Sequence, residues 1–418
     1  MKTKAVRLYG KSDLRLEEFE LPAPAEDEIL ARVWSDSLCA SSCKAARQGP
    51  DHKRVPKDCA ENPVIIGHEF CGEIIEVGSV WAGQFREGQR FIVQPALACN
   101  TRTEAIGYSF PTIGGNATYI VIPREVIELG CVIPYEGPFF AGSMAEPYSC
   151  IIHAFHAMYH TAPGCREHIM GTVRGGNMAL IAGNGPMGQT AIDYILHADA
   201  RPSLLVVTAR KQEHLDALAR LLPVEEARRN GVDLRYFNTS CEDPKAALLA
   251  LTGNTGYDDV FVFAPAAAMV ELGDAILGQD GCLNFFSGPT DPAFQAPLNF
   301  YNVHYSGTHF LGTTGGSTDD MKEAVSLMQE GRIHPSVIIS HIGGLDAAPE
   351  ATLRLSEIGG SKKLIYTGID MPLTAIADFA ELGRTDPLFA ELDALCRANN
   401  GLWSAEAERF LLERKGAL

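Results

Sequence analysis

The sequence predicts an α/β protein of more than one domain, organised around a doubly wound parallel sheet. Three observations support this prediction. Strand-like and helix-like segments alternate from 177 to about 312, a glycine-rich turn joins the first strand to its helix, and β-like segments fill residues 1–37. Alternation of this kind indicates a parallel sheet with helices on both faces. With 418 residues, the chain is also too long for one ordinary core.

Composition and charge narrow the class of partner. A hydrophobic content of 46% and a charged content of 21% are those of a soluble globular protein. The net charge of −17 argues against nucleic acid or an anionic membrane, although a local basic pocket stays possible. The first residues lack the apolar core of a signal peptide, and no apolar run is long enough to span a membrane. Eleven cysteines without paired spacing fit a reducing compartment, so we expect a cytoplasmic protein.

The first part of the chain reads as β structure. The stretches KAVRLYG, LRLEEFELP and EILARVWSDS alternate apolar and polar residues between turn signals. The stretches VIIGHEFCGEIIEVGS, EGQRFIVQPA and ATYIVIPREVI provide further strand candidates. A helix is expected to begin at Glu146-Pro147, because proline suits the first helical turn.

The stretch MALIAGNGPMG predicts a dinucleotide site, because a short apolar strand meets a G-x-G-x-x-G turn that opens a helix. Gly183 permits the tight turn, Gly185 lets the backbone approach a pyrophosphate, and Gly188 lets helix and strand pack closely. The phosphates are expected at the free N–H groups of the helix N-terminus. The alternative is an ordinary glycine-rich turn. The predicted cofactor contacts in this turn are Gly183, Gly185, Pro186, Met187 and Gly188.

The end of the next strand indicates which nicotinamide cofactor is preferred. An NAD-preferring site places a carboxylate there to hold the ribose 2′-hydroxyl. Here the strand SLLVVT is followed by Ala209, Arg210 and Lys211, which supply two cations and no carboxylate. We therefore expect NADP(H) to be preferred over NAD(H). The alternative is that Arg210 and Lys211 begin the next helix as solvated charges.

After residue 312 the pattern changes. The stretch STDDMKEAVSLMQEG reads as an amphipathic helix, and PSVIISHIGGL and KKLIYTGI read as strands on either side of the helical PEATLRLSEIG. The remaining residues, from Pro372, are largely helical in pattern and contain no chemical motif.

Ordered motifs along the chain resemble those of the zinc-dependent medium-chain dehydrogenase family, the relatives of alcohol and sorbitol dehydrogenases. They are Cys39 with Ser41, the sequence Gly67-His68-Glu69, the pair Glu146-Pro147, and the GNGPMG turn. The resemblance covers about residues 1–370. It implies a GroES-like β-barrel catalytic domain from 1–155 and 313–370, a Rossmann domain from 156–312, a helical extension from 371–418, and an active site in the cleft.

The same resemblance implies one catalytic zinc ion. It places Cys39 and His68 as metal ligands, with Glu69 and Glu146 as carboxylates that bind the metal or its water. Three protein ligands and one open position suit a catalytic zinc. Taken singly, Cys39 reads better as a buried small residue and His68 as a turn histidine. A structural zinc needs four ligands, and the corresponding segment has only Cys99, so none is expected.

The resemblance also assigns the reaction, a hydride transfer between nicotinamide and a carbonyl or alcohol carbon. Ser41 is expected to hydrogen-bond the reacting oxygen and pass its proton onward, with Glu69 beside the metal; without the metal, Ser41 reads as a capping hydroxyl. Two positions depart from the family. Ser42 stands where aspartate is common, and Lys44 stands where a histidine often ends the relay. Lys44 is a relay candidate, a phosphate contact or a solvated lysine.

Within the family, segments such as ENPVIIGHEFCGEI resemble L-sorbose 1-phosphate reductases. This likeness implies reduction of L-sorbose 1-phosphate to D-glucitol 6-phosphate, and family analogy implies a homodimer or homotetramer. An unphosphorylated polyol or secondary alcohol is the alternative substrate, and a non-catalytic nucleotide-binding protein is the alternative of another class. The segment Asp51-His52-Lys53-Arg54, the basic loop, is locally basic in an acidic chain, although a solvated charged loop is the simpler interpretation of any one residue. The candidate phosphate contacts are Lys44, Arg47, His52, Lys53 and Arg54.

Overall fold

A computed structural model describes residues 1–97, 103–162 and 164–418. Cys99 lies outside the described residues, so the expectation about a structural zinc is not addressed by the structure. The chain divides into two compact units. The first unit comprises Met1–Pro147, Ser317–Gln329 and Ile338–Leu418, and the second comprises Tyr148–Gly316 and Glu330–Val337. The predicted domain boundaries stay a prediction.

The β-strands of the described chain are numbered in chain order. They are β1 Lys2–Gly10, β2 Asp13–Glu20, β3 Ile29–Ser37, β4 Val64–Ile65, β5 Phe70–Val77, β6 Arg90–Val93, β7 Tyr119–Ile122, β8 Val132–Pro134, β9 Tyr159–Thr161, β10 His168–Met170, β11 Asn177–Ile181, β12 Leu204–Ala209, β13 Asp233–Asn238, β14 Tyr257–Val262, β15 Leu277–Phe285, β16 His309–Gly312, β17 Ile339–Gly344, β18 Lys362–Tyr366 and β19 Thr374–Ala375.

The α-helices are numbered in the same way, and short 3₁₀ turns connect several elements. The helices are α1 Ala40–Gln48, α2 Arg124–Glu128, α3 Phe139–Ser143, α4 Ala145–His156, α5 Pro186–His197, α6 Gln212–Leu221, α7 Val224–Arg229, α8 Pro244–Leu251, α9 Ala267–Ala275, α10 Phe300–Tyr305, α11 Thr318–Gln329, α12 Ala348–Leu353, α13 Phe379–Leu382, α14 Pro387–Ala398 and α15 Ala405–Arg414.

The first unit contains a long mixed sheet with the order β19-β17-β18-β3-β5-β6-β8, and β7 also pairs with β3. A smaller sheet has the order β2-β1-β4. The apolar residues that alternate along β3, β5 and β6 point into a buried cluster that includes Val33, Phe70 and Phe91. The alternation seen in the sequence therefore marks the core face of these strands.

Strand β3 brings distant parts of the first unit together at the point where it ends. It pairs antiparallel with both β5 and β18, and Leu364 lies opposite Ser37. The amide of Ser37 donates to the carbonyl of Glu69 (3.0 Å), and the amide of Leu38 donates to the carbonyl of Lys363 (2.9 Å). The residues that follow β3 and those that precede β5 therefore lie beside the start of β18.

The second unit has the predicted parallel sheet. Its order is β13-β12-β11-β14-β15-β16, and each neighbouring pair is parallel. Strand β11 lies at the centre, with β12 on one side and β14 on the other, so the strand order reverses there. This is the doubly wound arrangement that the alternating pattern predicts, and its topological switch point lies next to β11.

Several details differ from the sequence reading. The segment PREVI, read as the end of a strand, contains helix α2, because Pro123 ends β7 and precedes the helix. Helix α3 was not predicted, since its five residues are almost all apolar and buried and show no amphipathic period. Pro335–Ile338 forms a 3₁₀ turn rather than the start of a strand. Within the described residues, the helices are too short or too polar to cross a membrane.

Candidate active site

Cys39 lies two residues after the end of β3 and is the N-cap residue of α1, with an extended backbone (φ −113°, ψ 144°). The helix that follows turns Ser41 back toward it. The Ser41 hydroxyl donates to Cys39 Sγ (2.9 Å) and lies 3.3 Å from His68 Nε2. One strand end and one helix start therefore place a thiol and a hydroxyl beside the same imidazole.

His68 and Glu69 lie between β4 and β5, where the backbone bends as expected at glycine. Gly67 has a φ of +94°, and a Cβ there would lie 2.7 Å from both the Asn116 nitrogen and a carboxylate oxygen of Asp36. Asp36 also accepts a hydrogen bond from the amide of Glu69 (3.1 Å). Only glycine fits this position, and the bend lets two adjacent side chains face one site.

The structure brings Cys39, His68 and Glu69 together. One sulfur, nitrogen or oxygen atom of each lies within 4.8 Å of the others. His68 is 4% exposed and Glu69 is 1% exposed, while Cys39 is half-buried. A thiol, an imidazole and a carboxylate at this spacing are a donor set that can hold a zinc ion.

Both nitrogens of His68 have defined neighbours. Ser42 Oγ lies 3.1 Å from Nδ1, and the hydroxyl of Tyr108 lies 3.3 Å from Nε2. The Tyr108 hydroxyl also donates to Ser41 Oγ (2.8 Å). Burial lowers the pKa of His68 to about 4, so the ring is neutral, as metal coordination requires. Ser42 was recognised from the sequence only as a departure from the family, and Tyr108 was not recognised at all.

Lys362 is the other residue that sequence analysis missed. Its Nζ lies 2.6 Å from both carboxylate oxygens of Glu69, and the Ser37 hydroxyl also bonds that carboxylate. Burial opposes ionisation of Glu69, but the charge of Lys362 outweighs it and the pKa of Glu69 is lowered. The pKa of Lys362 is raised by the charge of Glu69, although burial acts against this. The two residues form a buried ion pair.

Burial raises the pKa of the Cys39 thiol to about 12, with the charge of Glu69 adding to the effect. Such a thiol becomes a thiolate only beside a cation. Glu146, in the first turn of α4, is 9% exposed, and its charge contributes to the raised pKa of Cys39. Glu69 is therefore one of the three clustered residues, and Glu146 is close enough for its charge to affect the Cys39 thiol.

Three of the candidate phosphate contacts, Lys44, Lys53 and Arg54, are close enough to His52 for their charges to affect it. Burial, followed by the charges of Arg54, Lys44 and Lys53, lowers the pKa of His52 to about 4. The guanidinium of Arg54 lies over the Tyr108 ring, 5.5 Å from its centre, and its charge also lowers the pKa of His68. The remaining phosphate candidate points elsewhere: Arg47 donates to the Leu353 carbonyl (2.8 Å).

In the second unit the glycine turn joins β11 to α5. The left-handed residue of the turn is Ala182, with a φ of +56°, rather than Gly183. A Cβ on Gly188 would collide with the backbone of Gly183, so close packing requires glycine there. A Cβ on Gly185, the N-cap of α5, would meet nothing within 4 Å, which leaves the open space that a phosphate needs.

Ala209 ends β12, and the two cations that follow it are exposed. Lys211 caps α6 and lies 3.4 Å from Glu213, and the carbonyl of Arg210 accepts a hydrogen bond from Ser240 (2.7 Å). Arg210 therefore directly follows β12, the strand that pairs with β11 before the glycine turn, as the sequence indicates.

Comparisons with known proteins agree with this architecture. Residues 25–130 match the alcohol dehydrogenase GroES-like domain, and residues 186–330 match the zinc-binding dehydrogenase domain. The chain is 50% identical to a mannitol-1-phosphate 5-dehydrogenase of Aliivibrio fischeri over 98% of this chain and 97% of the relative. It is 50% identical to an L-sorbose 1-phosphate reductase of Klebsiella pneumoniae, over the same shares of each chain.

A solved structure from Sinorhizobium meliloti, assigned as a zinc-binding dehydrogenase and bound to NADP, shares the fold. It has a TM-score of 0.71 at 20% identity, over 88% of this chain and 100% of the other. The fold is that of a dehydrogenase with a GroES-like domain and a Rossmann-like parallel sheet. The chain belongs to the zinc-dependent medium-chain dehydrogenase family.

Proposed function

We propose that the protein is a zinc-dependent, NADP(H)-linked oxidoreductase of ketose and polyol phosphates that reduces L-sorbose 1-phosphate to D-glucitol 6-phosphate. The main support is the basic cluster beside the candidate metal ligands. The charges of Arg54, Lys44 and Lys53 lower the pKa of His52, and the charge of Arg54 also lowers the pKa of His68. The names of the two 50% identical relatives support the same substrate class.

The donor set fits a catalytic zinc ion. Cys39 and His68 would hold it, with Glu69 or Glu146 as the carboxylate. When bound, zinc supplies Lewis-acid polarisation of the substrate oxygen. Lys362 holds Glu69 by both oxygens and keeps it ionised, and Ser42 holds His68 so that Nε2 faces Cys39 and Ser41. These two contacts orient the ligands before any ion binds.

The hydroxyls of Ser41 and Tyr108 are the groups proposed to transfer and direct the proton of the reaction. Ser41 Oγ, which touches Cys39 Sγ and lies near His68 Nε2, is placed to exchange a proton with the reacting oxygen of the substrate. Tyr108 donates to Ser41 Oγ, which leaves the Ser41 proton directed away from the ring. Burial raises the pKa of Tyr108 well above its ordinary value, so Tyr108 keeps its proton and acts as a fixed donor. Lys44, on the same helix, is the candidate to continue the relay.

The basic loop is assigned to the substrate phosphate. A phosphate binds guanidinium and ammonium groups through charge-assisted hydrogen bonds. Arg54 is the strongest candidate because its charge reaches both His52 and His68, and Lys44 and Lys53 are next. Arg47 is the weakest because its guanidinium already bonds the Leu353 carbonyl.

The glycine turn and the cations after β12 are assigned to the dinucleotide. The N–H groups at the start of α5 would bind the pyrophosphate, and Arg210 and Lys211 would bind a 2′-phosphate. The nicotinamide supplies the hydride. A kcat/KM ratio of NADPH to NADH below one would contradict this cofactor assignment.

The decisive experiment measures NADPH oxidation with ketoses and their 1- and 6-phosphates. We expect L-sorbose 1-phosphate to give the highest kcat/KM. Arg54→Ala should lower kcat/KM for the phosphorylated ketose by about 10- to 100-fold, since a hydrogen bond to a charged group contributes roughly 1.5–3 kcal/mol. The same variant should lower kcat/KM for the unphosphorylated ketose much less, because only the indirect effects of Arg54 on Tyr108 and His68 are lost there.

Arg86→Ala is the matched control, because it removes an exposed arginine of the same unit outside the loop. It should behave as the wild type with both substrates. If unphosphorylated polyols or secondary alcohols are preferred, the phosphate assignment is wrong and the alternative substrate holds. For an enzyme, Cys39→Ser should abolish turnover and leave NADPH binding intact. If the wild type binds NADPH but turns over none of the substrates, the protein is a non-catalytic binder.

A further inference from the structure

A second group of metal-binding side chains lies in the second unit, within the chain segments Tyr148–Gly316 and Glu330–Val337. It consists of Asp193 and His197, one turn apart on α5, and His334. One ligand atom of each residue lies within 4.8 Å of the others. None of these residues takes part in the function proposed above.

The carboxylate of Asp193 is oriented by its neighbours. It is 1% exposed, and its Oδ2 accepts hydrogen bonds from the Tyr148 hydroxyl (2.5 Å) and the His334 amide (2.7 Å). Its Oδ1 faces the two imidazoles, 3.3 Å from His334 Nδ1 and 3.7 Å from His197 Nδ1. One oxygen is thus held by the protein, and the other is directed toward two nitrogens.

These separations are those of ligands around one ion. With metal–ligand distances of about 2.0–2.1 Å, two ligands of a tetrahedral zinc ion lie about 3.3 Å apart. The Asp193–His334 separation of 3.3 Å is long for a strong hydrogen bond but matches that value, and the Asp193–His197 separation is close to it. Two imidazoles and one carboxylate suit zinc and neighbouring transition metals.

His197 also has a partner for its second nitrogen. Its Nδ1 lies 2.8 Å from the carbonyl of Asp193, and its Nε2 lies 3.4 Å from Glu226 Oε1. A carbonyl only accepts, so Nδ1 is the protonated nitrogen in this contact. Binding of a metal through Nδ1 would break the contact and move the ring proton to Nε2, where the Glu226 carboxylate would accept it. A carboxylate behind a ligating histidine is the usual outer partner in metal sites.

The surroundings of the group contain charges of both signs. His197 is the last residue of α5, and the C-terminal end of a helix carries partial negative charge. Two arginines bond this helix end: Arg332 donates to the His197 carbonyl and Arg201 donates to the Ala198 carbonyl. Arg332 is itself paired with the carboxylates of Asp199 and Glu330. The His334 side chain is 47% exposed, which gives an ion access and leaves room for water in the remaining coordination positions.

We propose that Asp193, His197 and His334 form a second binding site for a divalent transition metal such as zinc, with Tyr148 and Glu226 orienting two of its ligands. The ion would fasten the segment 330–337 to the end of α5, the helix that begins at the glycine turn. The site is independent of the Cys39 group, because it shares no residue with it.

The test counts zinc ions in full-length protein. We expect the wild type to bind two equivalents per chain, Cys39→Ser and His334→Ala one each, and the double variant none. His304→Ala, which removes another exposed histidine of the same unit, should leave the count at two. Calorimetric titration with zinc and elemental analysis after desalting give the count. His334 is partly exposed, so its loss is compatible with folding.

Cobalt distinguishes the two sites. Of the two sites, only the one with Cys39 can give a thiolate-to-cobalt charge-transfer band. The Cys39→Ser variant should therefore lose this band and keep the visible cobalt bands of the second site. The double variant Cys39→Ser/His334→Ala should lose the visible cobalt bands as well. If Cys39→Ser binds no zinc or cobalt, or if His334→Ala binds as much as the wild type, the second site does not exist and the cluster is a hydrogen-bonded His–Asp network. If the wild type lacks the thiolate band, the Cys39 site fails instead.

Discussion

At the residue scale, the ion pair between Glu69 and Lys362 determines the charge of the candidate active site. Both side chains are almost fully buried. Burying two charges is costly, and the cost is offset only while both partners are present. Lys362 therefore has a role that its position at the start of a buried strand does not reveal: it keeps a carboxylate ionised beside Cys39 and His68.

Replacing Lys362 by Met should lower the free energy of unfolding by about 3–5 kcal/mol at pH 7, because Glu69 is left as an unpaired buried charge. The pKa of Glu69 is lowered by folding, so its stabilising contribution is present above its ordinary value of 4.5 and is lost as the pH falls through its folded value. The difference between wild type and Lys362→Met should therefore shrink in acid. Urea unfolding at pH 7 and pH 4 measures it.

The control for this prediction is the double variant Lys362→Met/Glu69→Gln. Removing the second charge should recover part of the lost stability at pH 7, because no buried ion remains. A double variant that is less stable than Lys362→Met would contradict the ion-pair interpretation.

Ser42 is the second informative residue, since it stands where the family often has aspartate. Its hydroxyl is the partner of His68 Nδ1 (3.1 Å). Ser42→Ala should weaken zinc binding by about 10- to 100-fold, the usual effect of removing a partner of a ligating histidine. Ser42→Asp should restore or strengthen binding. Competition with a zinc chelator measures both variants, and equal affinities in all three proteins would show that Ser42 does not orient the ring.

At the scale of elements, helix α15 is fixed to the rest of the first unit by one buried carboxylate. Glu408 accepts hydrogen bonds from the amides of Phe139 (2.8 Å) and Phe140 (2.7 Å) at the start of α3, and from the Tyr366 hydroxyl (2.8 Å). Trp403 in turn donates to Tyr366 (2.8 Å). The C-terminal helices thus contact both α3 and β18, the strand that begins with Lys362.

Glu408 should make stability depend on pH. Burial raises its pKa from 4.5 to about 7, although its hydrogen bonds act in the opposite direction. A raised pKa gives a contribution that is complete below 4.5 and is lost as the pH rises through about 7. The stability of the wild type relative to Glu408→Gln should therefore be greater at pH 5 than at pH 8, as measured by urea unfolding. A difference that does not change with pH would contradict this role.

The elements differ in how well the sequence predicts them. The parallel sheet was predicted because β11, β12 and β14 are continuous apolar runs separated by helical periods. Helices α2 and α3 were missed, since each has five residues and too few turns to show a period. The left-handed residue at Ala182 was also missed, because glycine is the expected residue for a positive φ and Gly183 stands next to it.

At the scale of the whole molecule, the site was only partly predictable. Cys39, His68 and Glu69 were found because family motifs mark them. Lys362 was missed because it lies 293 residues from Glu69 in the chain and reaches it only through the pairing of β18 with β3. Tyr108 lies in a turn without a motif. The sequence KKLIY was the available signal for Lys362, because a lysine in a buried apolar strand needs a charged or hydrogen-bonding partner.

The same organisation predicts how loss of the Cys39 metal site spreads through the chain. The site joins the segment after β3 to the segment before β5, and both belong to the first unit. An ion present at 100 times its Kd stabilises the state that binds it by about 2.7 kcal/mol, or about 100-fold. Each unit has a hydrophobic cluster of its own, so we expect the two units to open separately. In zinc-loaded protein, Cys39→Ser should therefore lower hydrogen-exchange protection of β3, β5 and β18 by up to about 100-fold and leave β11 and β12 unchanged.

Cys165→Ser, which replaces an exposed cysteine of the second unit, should change neither set. Unchanged protection of β3, β5 and β18 in Cys39→Ser would mean that Cys39 holds no ion, and an equal loss in β11 and β12 would mean that the two units open together.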